Sequence, residues 1–299
     1  MKKIFSVFLL TTFFVLNAQE TANRFFYELV YKPKKDSART EKVMMVLDIT
    51  KEKSIYQDYT LIAQDSTLKI QFEAMQKSGV FKDMSKMVTM PKFSDKVYKF
   101  YPEMKVQYVE RISSGFTPLN IGYNDDHKFK WQISNEKAKI GSYNAQKATT
   151  EFGGRKWTAW FSSDIPLQDG PYKFHGLPGL IVKIEDDGQN YSWELKGNKK
   201  VENYNELTYM ESISPGGNGG KVSEISREKF EKTFNDFKKD PFASARPMLR
   251  PEVMSQKMPG SDVTIGEMVK QQEKMLNDFY NSNNNPIELP SAVPAKSKK

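Results

Sequence analysis

Two of the usual catalytic side chains are scarce in this chain: it has no cysteine, and His127 and His175 are its two histidines. A thiolate nucleophile and a thiolate metal site are therefore excluded. The two imidazoles are far apart in sequence and lack the spacing that brings metal ligands together on one element. A serine triad would need one of them as its base, and no glycine-serine-glycine elbow accompanies either. Carboxylates remain. Asp164 with Asp169, and Asp186 with Asp187, lie nearest the unusual stretches of sequence, and a facing pair would support acid–base hydrolysis. Asp186-Asp187-Gly188 reads instead as a turn, where an Asp side chain bonds local backbone. The expectation is no catalytic residue, no metal ligand and no cofactor, with a hydrolase built on Asp164 and Asp169 as the alternative.

The aromatic residues offer binding chemistry instead. Trp131, Trp157, Trp160 and Trp193 all fall in strand-like runs. Across Arg155 to Ser162, a side-chain period of two puts Trp157 and Phe161 on one face and Trp160 on the other. Trp160 is therefore either covered from its own side or lines a groove or contact surface. Beyond it, Asp164 to Ile181 is unlike its surroundings. Pro166, Pro171 and Pro178 remove backbone donors, and Gly170, Gly176 and Gly179 permit conformations other residues resist. The segment must follow a fixed path without ladder pairing, pinned to the core by Leu177, Leu180 and Ile181. Tyr172 and His175 on this bend join Trp160 as candidate groove or contact residues.

Gly176-Leu177-Pro178-Gly179-Leu180-Ile181 also spells a known motif. With Trp160-Phe161, Ile165-Pro166 and Gly170-Pro171-Tyr172 ahead of it, and Phe26-Tyr27-Glu28 and Tyr31 near the start, the chain resembles the GLPGLI family of secreted Bacteroidetes proteins. The resemblance covers most of the mature chain. It implies a secreted protein and carries over no functional residue, since the family has no assigned activity. In organisation the chain also resembles the open half-barrels of periplasmic lipoprotein carriers, an analogy of fold alone.

The elements that must position these residues begin with an export signal. Lys2 and Lys3 precede an apolar or hydroxyl run from Ile4 to Leu16, with cleavage expected after Ala18. That run is too short to span a bilayer, and no cysteine follows it to take a lipid. Losing the two lysines lowers the formal charge from +8 to +6. The excess is scattered, which argues against a nucleic-acid partner. Strands are expected at Arg24 to Tyr31, Lys42 to Ile49, Ser54 to Thr60, Lys96 to Tyr101, Lys105 to Ile112 and around Phe129, Trp131 and Ile133. Two hairpins follow, one turning at Gly153-Gly154 between Tyr143 and Ser162, the other at Asp186 to Gly188 between Leu180 and Leu195. A helix is expected over Leu61 to Ser78, stopped by Gly79. Ser226 caps a second helix carrying Phe230, Phe234 and Phe237, and Thr264 with Glu267 forms a capping box for a third, running to Tyr280. In the third helix Met268, Met275 and Phe279 are placed to dock on the sheet. Pro247, Pro251 and Pro259 should keep the chain extended between the last two.

The expected fold is mainly β (α+β), a curved antiparallel sheet or half-barrel with a few covering helices. Its order is a signal at 1–18, a β domain at 19–213, a Gly-rich loop at 214–221, a helical part at 222–282 packing on the sheet, and a disordered tail at 283–299. The expected function is a noncatalytic, periplasmic or secreted binding protein of the cell envelope. Its partner would be an apolar or peptide ligand held in a groove near the proline–glycine segment. An accessory subunit contacting an envelope protein through Trp160 and the basic tail is the further alternative. No transmembrane segment follows the signal.

Overall fold

The computed structural model describes residues 20–80, 88–114, 117–213, 220–257 and 262–290. The expected signal and most of the expected Gly-rich loop lie outside the described residues. The strands are β1 (Ala22–Tyr31), β2 (Glu41–Ile49), β3 (Lys53–Asp58), β4 (Lys96–Phe100), β5 (Lys105–Ser114) and β6 (Thr117–Asp125), then β7 (Gln132–Ile140), β8 (Tyr143–Phe152), β9 (Arg155–Ser162), β10 (Leu180–Asp186), β11 (Tyr191–Val201) and β12 (Val222–Glu224). The helices are α1 (Thr60–Ser78), α2 (Tyr209–Ser212), α3 (Arg227–Lys239), α4 (Pro251–Met254) and α5 (Ile265–Ser282).

All twelve strands form one sheet in the order β12-β6-β5-β4-β3-β2-β1-β11-β10-β9-β8-β7. Its pairings are antiparallel except the last, where β12 joins β6 in parallel. β1 sits near the centre, with Phe25, Tyr27, Leu29 and Tyr31 all buried on one face. Gly153 and Gly154 take φ of +59° and +73° at the tip of the β8–β9 hairpin, where Phe152 pairs with Arg155. Two positive φ angles make the tight turn whose twist matches the strands it joins.

The sheet is strongly curled, as one side chain demonstrates. The Tyr172 ring lies 6.2 Å from Tyr108 on β5 and 6.5 Å from Phe152 on β8. In a flat sheet those strands, eight steps apart, would be separated by about 38 Å. The curl wraps the inner face around the segment between β9 and β10, while β7 and β12 remain as separate edges, so the sheet is open. The expected mainly β fold with a curved sheet is what the chain adopts.

Several local expectations need correction. Trp131 lies just before β7, not within a strand. Its ring stacks on Phe129 at 5.5 Å and its indole N–H donates to the His175 carbonyl at 2.8 Å. β6 was not expected, although Leu119, Ile121 and Tyr123 alternate along it and Ile121 and Tyr123 are buried; β7 is, beyond Ile133, a polar, largely exposed edge strand. Pro247 and Pro251 do not hold the chain extended. They stand in the first turns of a 3-10 turn (Arg246–Met248) and of α4, where proline's missing N–H costs nothing. Pro259 is outside the described residues. α3 lies on the sheet, Phe230 meeting Tyr108 and Tyr123 at 5.7 Å and 4.9 Å. α5 instead leans on α3 through Tyr280 against Phe234 and Phe237, and its Met268 packs with Phe242, Ala245 and Val269 rather than on strands.

The tail expected to be disordered from Asn283 is packed as far as residue 290. Asn285 and Ile287 are buried. Arg155 donates to the Ile287 carbonyl, the Asn285 side chain and the Pro286 carbonyl at 2.9, 2.9 and 2.8 Å. The Leu289 N–H meets the Gly153 carbonyl at 2.8 Å. These partners lie more than a hundred residues away, so the tail's own composition could not announce them.

Candidate functional site

The proline–glycine segment is the plug of the curled sheet. Phe174, Leu177, Leu180 and Ile181 are fully buried. Its backbone is satisfied locally, Gly176 N–H to the Gln168 carbonyl and Ile181 N–H to the Asp169 carbonyl, each at 3.0 Å, and Tyr27 donates its hydroxyl to the Ile181 carbonyl at 2.8 Å. Gly179 is required sterically, because a Cβ there would stand 2.3 Å from the Ser162 carbonyl oxygen.

Two lysines hold the plug from inside, and sequence reasoning missed both. Lys99, on the inward register of β4 beside Val97, is fully buried against the Asp169 carboxylate and donates to the Gly170 and Tyr172 carbonyls at 2.6 and 3.1 Å. Burial pulls its ammonium down, opposed by the Asp169 charge. Burial likewise pushes Asp169 up, but Lys99 and its hydrogen bonds more than offset this and leave the carboxyl below its ordinary range. Lys173 donates to Tyr123, Asp125 and Glu288 at 2.8, 2.7 and 2.5 Å. Its ammonium also sits 4.8 to 5.0 Å from the Tyr108 and Tyr123 ring centres. Strand alternation offered a signal for Lys99, a lysine in register with core residues; Lys173, between two buried aromatics, offered only its neighbours.

The expected groove residues do not form a groove here. Tyr172 is core, its hydroxyl donating to Glu288 at 2.7 Å. His175 is half-buried, its Nδ1 2.8 Å from the Lys173 carbonyl, with burial lowering its proton affinity. Trp160 is half-buried on the opposite face, with the Lys147 ammonium 5.8 Å from its ring centre. His127 and His175 pack on the same ring, Phe129, at 4.9 and 5.2 Å, and among the described residues no group of three His, Cys, Asp or Glu could hold a metal. Asp164 is exposed and accepts from Asn144 at 3.3 Å, while Asp169 is sealed in the core by Lys99 and Tyr101, so the two carboxylates do not face one another across a cleft. Asp186 is the turn residue its context implied, accepting from the Asn190 and Tyr191 N–H groups at 2.7 Å and pairing with Arg155 at 3.0 Å.

The candidate site lies elsewhere, where residues 90–96 enter β4 beneath α5. A cavity of about 330 Å³ opens there, walled by Leu61, Met90, Phe93, Tyr98, Val109, Phe237, Met275, Leu276 and Phe279. Met90 and Met275 stand at its rim, 58% and 47% exposed, an unusual cost for large apolar side chains unless something covers them. Asp58, Ser94, Asp95 and Lys96 also line it, Lys96 being paired with Glu211 at 2.8 Å. The Asp58 carboxylate accepts the Thr60, Lys92 and Phe93 N–H groups at 2.8, 2.8 and 3.2 Å, fixing the entering chain. Behind Ser94, Glu110 accepts from the Ser94 and Tyr108 hydroxyls, both at 2.8 Å. Burial, then the neighbouring Asp58, raises Asp95 to about 7. Burial, then Asp95, raises Glu110 to about 8. No spacing rule joins Asp58, Asp95 and Glu110; only the pairing of β3, β4 and β5 does.

A model of a family described as a protein of unknown function (Porph_ging) matches residues 153–183, from the Gly153-Gly154 turn through the plug into β10. No curated protein matches the sequence. Among solved structures, PNGF-II in space group C2 is similar at 14% identity and a TM-score of 0.48, over 71% of this chain and 32% of that one. PNGF-II in space group P21 is similar at 15% identity and a TM-score of 0.47, over 75% and 34%. The chain thus spans about a third of the length of those chains.

Proposed function

We propose that this chain is an exported binding protein for a small apolar ligand, held in the cavity beneath α5 and not along the proline–glycine segment. The observation that carries the proposal is an apolar-walled cavity of about 330 Å³ left open beside a core that is otherwise filled by its own plug. That size suits a small ligand, and methionine-lined walls adapt to varied shapes. Export and a place in the envelope belong to the same proposal, supported by Lys2, Lys3, the Ile4 to Leu16 run and Ala18. Membership of the GLPGLI family is likewise proposed, supported by Gly176 to Ile181 lying within the stretch matched by the family of unknown function. The hydrolase alternative loses the residues on which it rested, because Asp169 is committed to Lys99.

The test is titration of the mature chain with 1-decanol, followed by NMR of 13C-labelled methionine methyls. The Met90 and Met275 signals should shift saturably, and Leu276→Trp, which fills the cavity, should abolish the shift. Decanol leaving both signals unmoved, or moving only methionines elsewhere, overturns the proposal.

A further inference from the structure

Resting on the cavity reading above, we propose that the ligand is an apolar amine whose cationic head is received by the carboxylate of Asp95, its hydrocarbon part lying against Met90, Phe93, Met275 and Phe279. Asp95 is 6% exposed and lines the cavity. Among the described residues, the donor that answers its carboxylate is its own backbone N–H, and no other residue's. An unpaired buried carboxyl is costly, and a charged partner from outside the chain would remove that cost.

The surrounding groups decide the sign of that partner. Asp58 faces Asp95 from the end of β3, and Glu110 with Tyr108 from β5. Tyr280 of α5 feels the Glu110 charge. Of the cations, Lys96 and Arg111, which line the cavity, lie 2.8 and 3.9 Å from Glu211, and Lys173 is held by Asp125 and Glu288. Lys238 of α3 faces Glu110, and burial lowers its proton affinity. Carboxyls therefore outnumber uncommitted cations at the inner end of an apolar cavity. A carboxylic acid ligand would add one more negative group there, a neutral alcohol would gain an ordinary hydrogen bond, and an alkylammonium would gain a charge-assisted one. At about 30 Å³ per non-hydrogen atom, the share of a water in the liquid, the cavity holds roughly eleven such atoms, the size of decylamine.

Titration calorimetry of the mature protein with decylammonium, 1-decanol and decanoate at pH 8 and pH 5.5, below the concentrations at which they self-associate, tests this. At pH 8 decylammonium should bind at least tenfold more tightly than decanol, with decanoate weakest. At pH 5.5 the preference should shrink, because Asp95, raised to about 7, then keeps its proton while the amine stays charged. Asp95→Asn should bring the decylammonium and decanol affinities together. Equal affinities of decylammonium and decanol at pH 8 overturn the amine assignment and leave the cavity reading standing; failure of all three to bind overturns both. Should Asp95→Asn not fold, the pH dependence of the parent protein decides, and a preference for decylammonium unchanged between pH 8 and pH 5.5 counts against Asp95.

Discussion

Asp95→Asn should stabilise the ligand-free protein most at pH 8 and by less than half as much at pH 5. Asp95 is raised from 3.8 to about 7, so between those values the folded state binds more protons than the unfolded chain. Stability must then fall as pH rises through that window and level off above it, opposite to the behaviour of a salt-bridged carboxylate. Each tenfold change in proton affinity is worth about 1.4 kcal/mol. The full difference amounts to about 4 kcal/mol, and because Asp95 and Glu110 share their repulsion, one substitution should recover about 2 to 4 kcal/mol. At about 2 to 4 °C per kcal/mol for a chain of this size, the midpoint should rise by about 4 to 16 °C. His175 acts in the opposite sense: its lowered proton affinity favours the folded state as pH rises toward 6.5, so variant and parent must be compared at each pH. Asp125, Asp169, Glu211 and Glu288 are all lowered, and their contributions are lost only on acidification below the ordinary carboxylate range. Thermal unfolding followed by circular dichroism at pH 5, 6.5 and 8 is sufficient. A natively folded Asp95→Asn no more stable than the parent at pH 8 would refute the burial of an unpaired charge.

Lys99→Met should cost about 3 to 5 kcal/mol in urea unfolding, since it leaves Asp169 buried without its cation, and Asp169→Asn in that background should recover part of the loss. Gly179→Ala drives a Cβ into the Ser162 carbonyl and should cost about 3 kcal/mol or more, whereas Gly176→Ala meets nothing nearer than 4.0 Å and should cost only the strain of its φ of +90°, about 1 to 3 kcal/mol; similar losses for the two would contradict the packing of the plug. Removing residues 284–299 takes three acceptors from Arg155 and one from Lys173 and should lower the stability read by urea unfolding by about 3 kcal/mol or more.

Strand content was legible because it is local. Phe25, Tyr27, Leu29 and Tyr31 alternate, Gly153-Gly154 demands a tight turn, and Thr264 and Glu267 cap a helix, all from neighbours in sequence. β7 beyond Ile133 escaped because an edge strand needs no apolar face to form, whereas β6 carried a legible alternation in Leu119, Ile121 and Tyr123 that sequence reasoning missed. The proline–glycine segment was recognised as a rigid bend anchored by leucines, but its place was not. A bend reads the same whether it lines a groove or fills one, and the curl that brings β5 and β8 to either side of Tyr172 has no local signature.

The residue sequence alone determined a mainly β chain with few reactive groups and a bend at Gly176 to Ile181. Tertiary structure decided that Lys99 and Lys173 point inward, that residues 284–290 close over the plug, and that Asp58, Asp95 and Glu110 meet beside an apolar cavity. The division follows from range: propensity and period act over a few residues, whereas burial and charge pairing depend on which distant strands become neighbours, and that is settled only when the sheet curls.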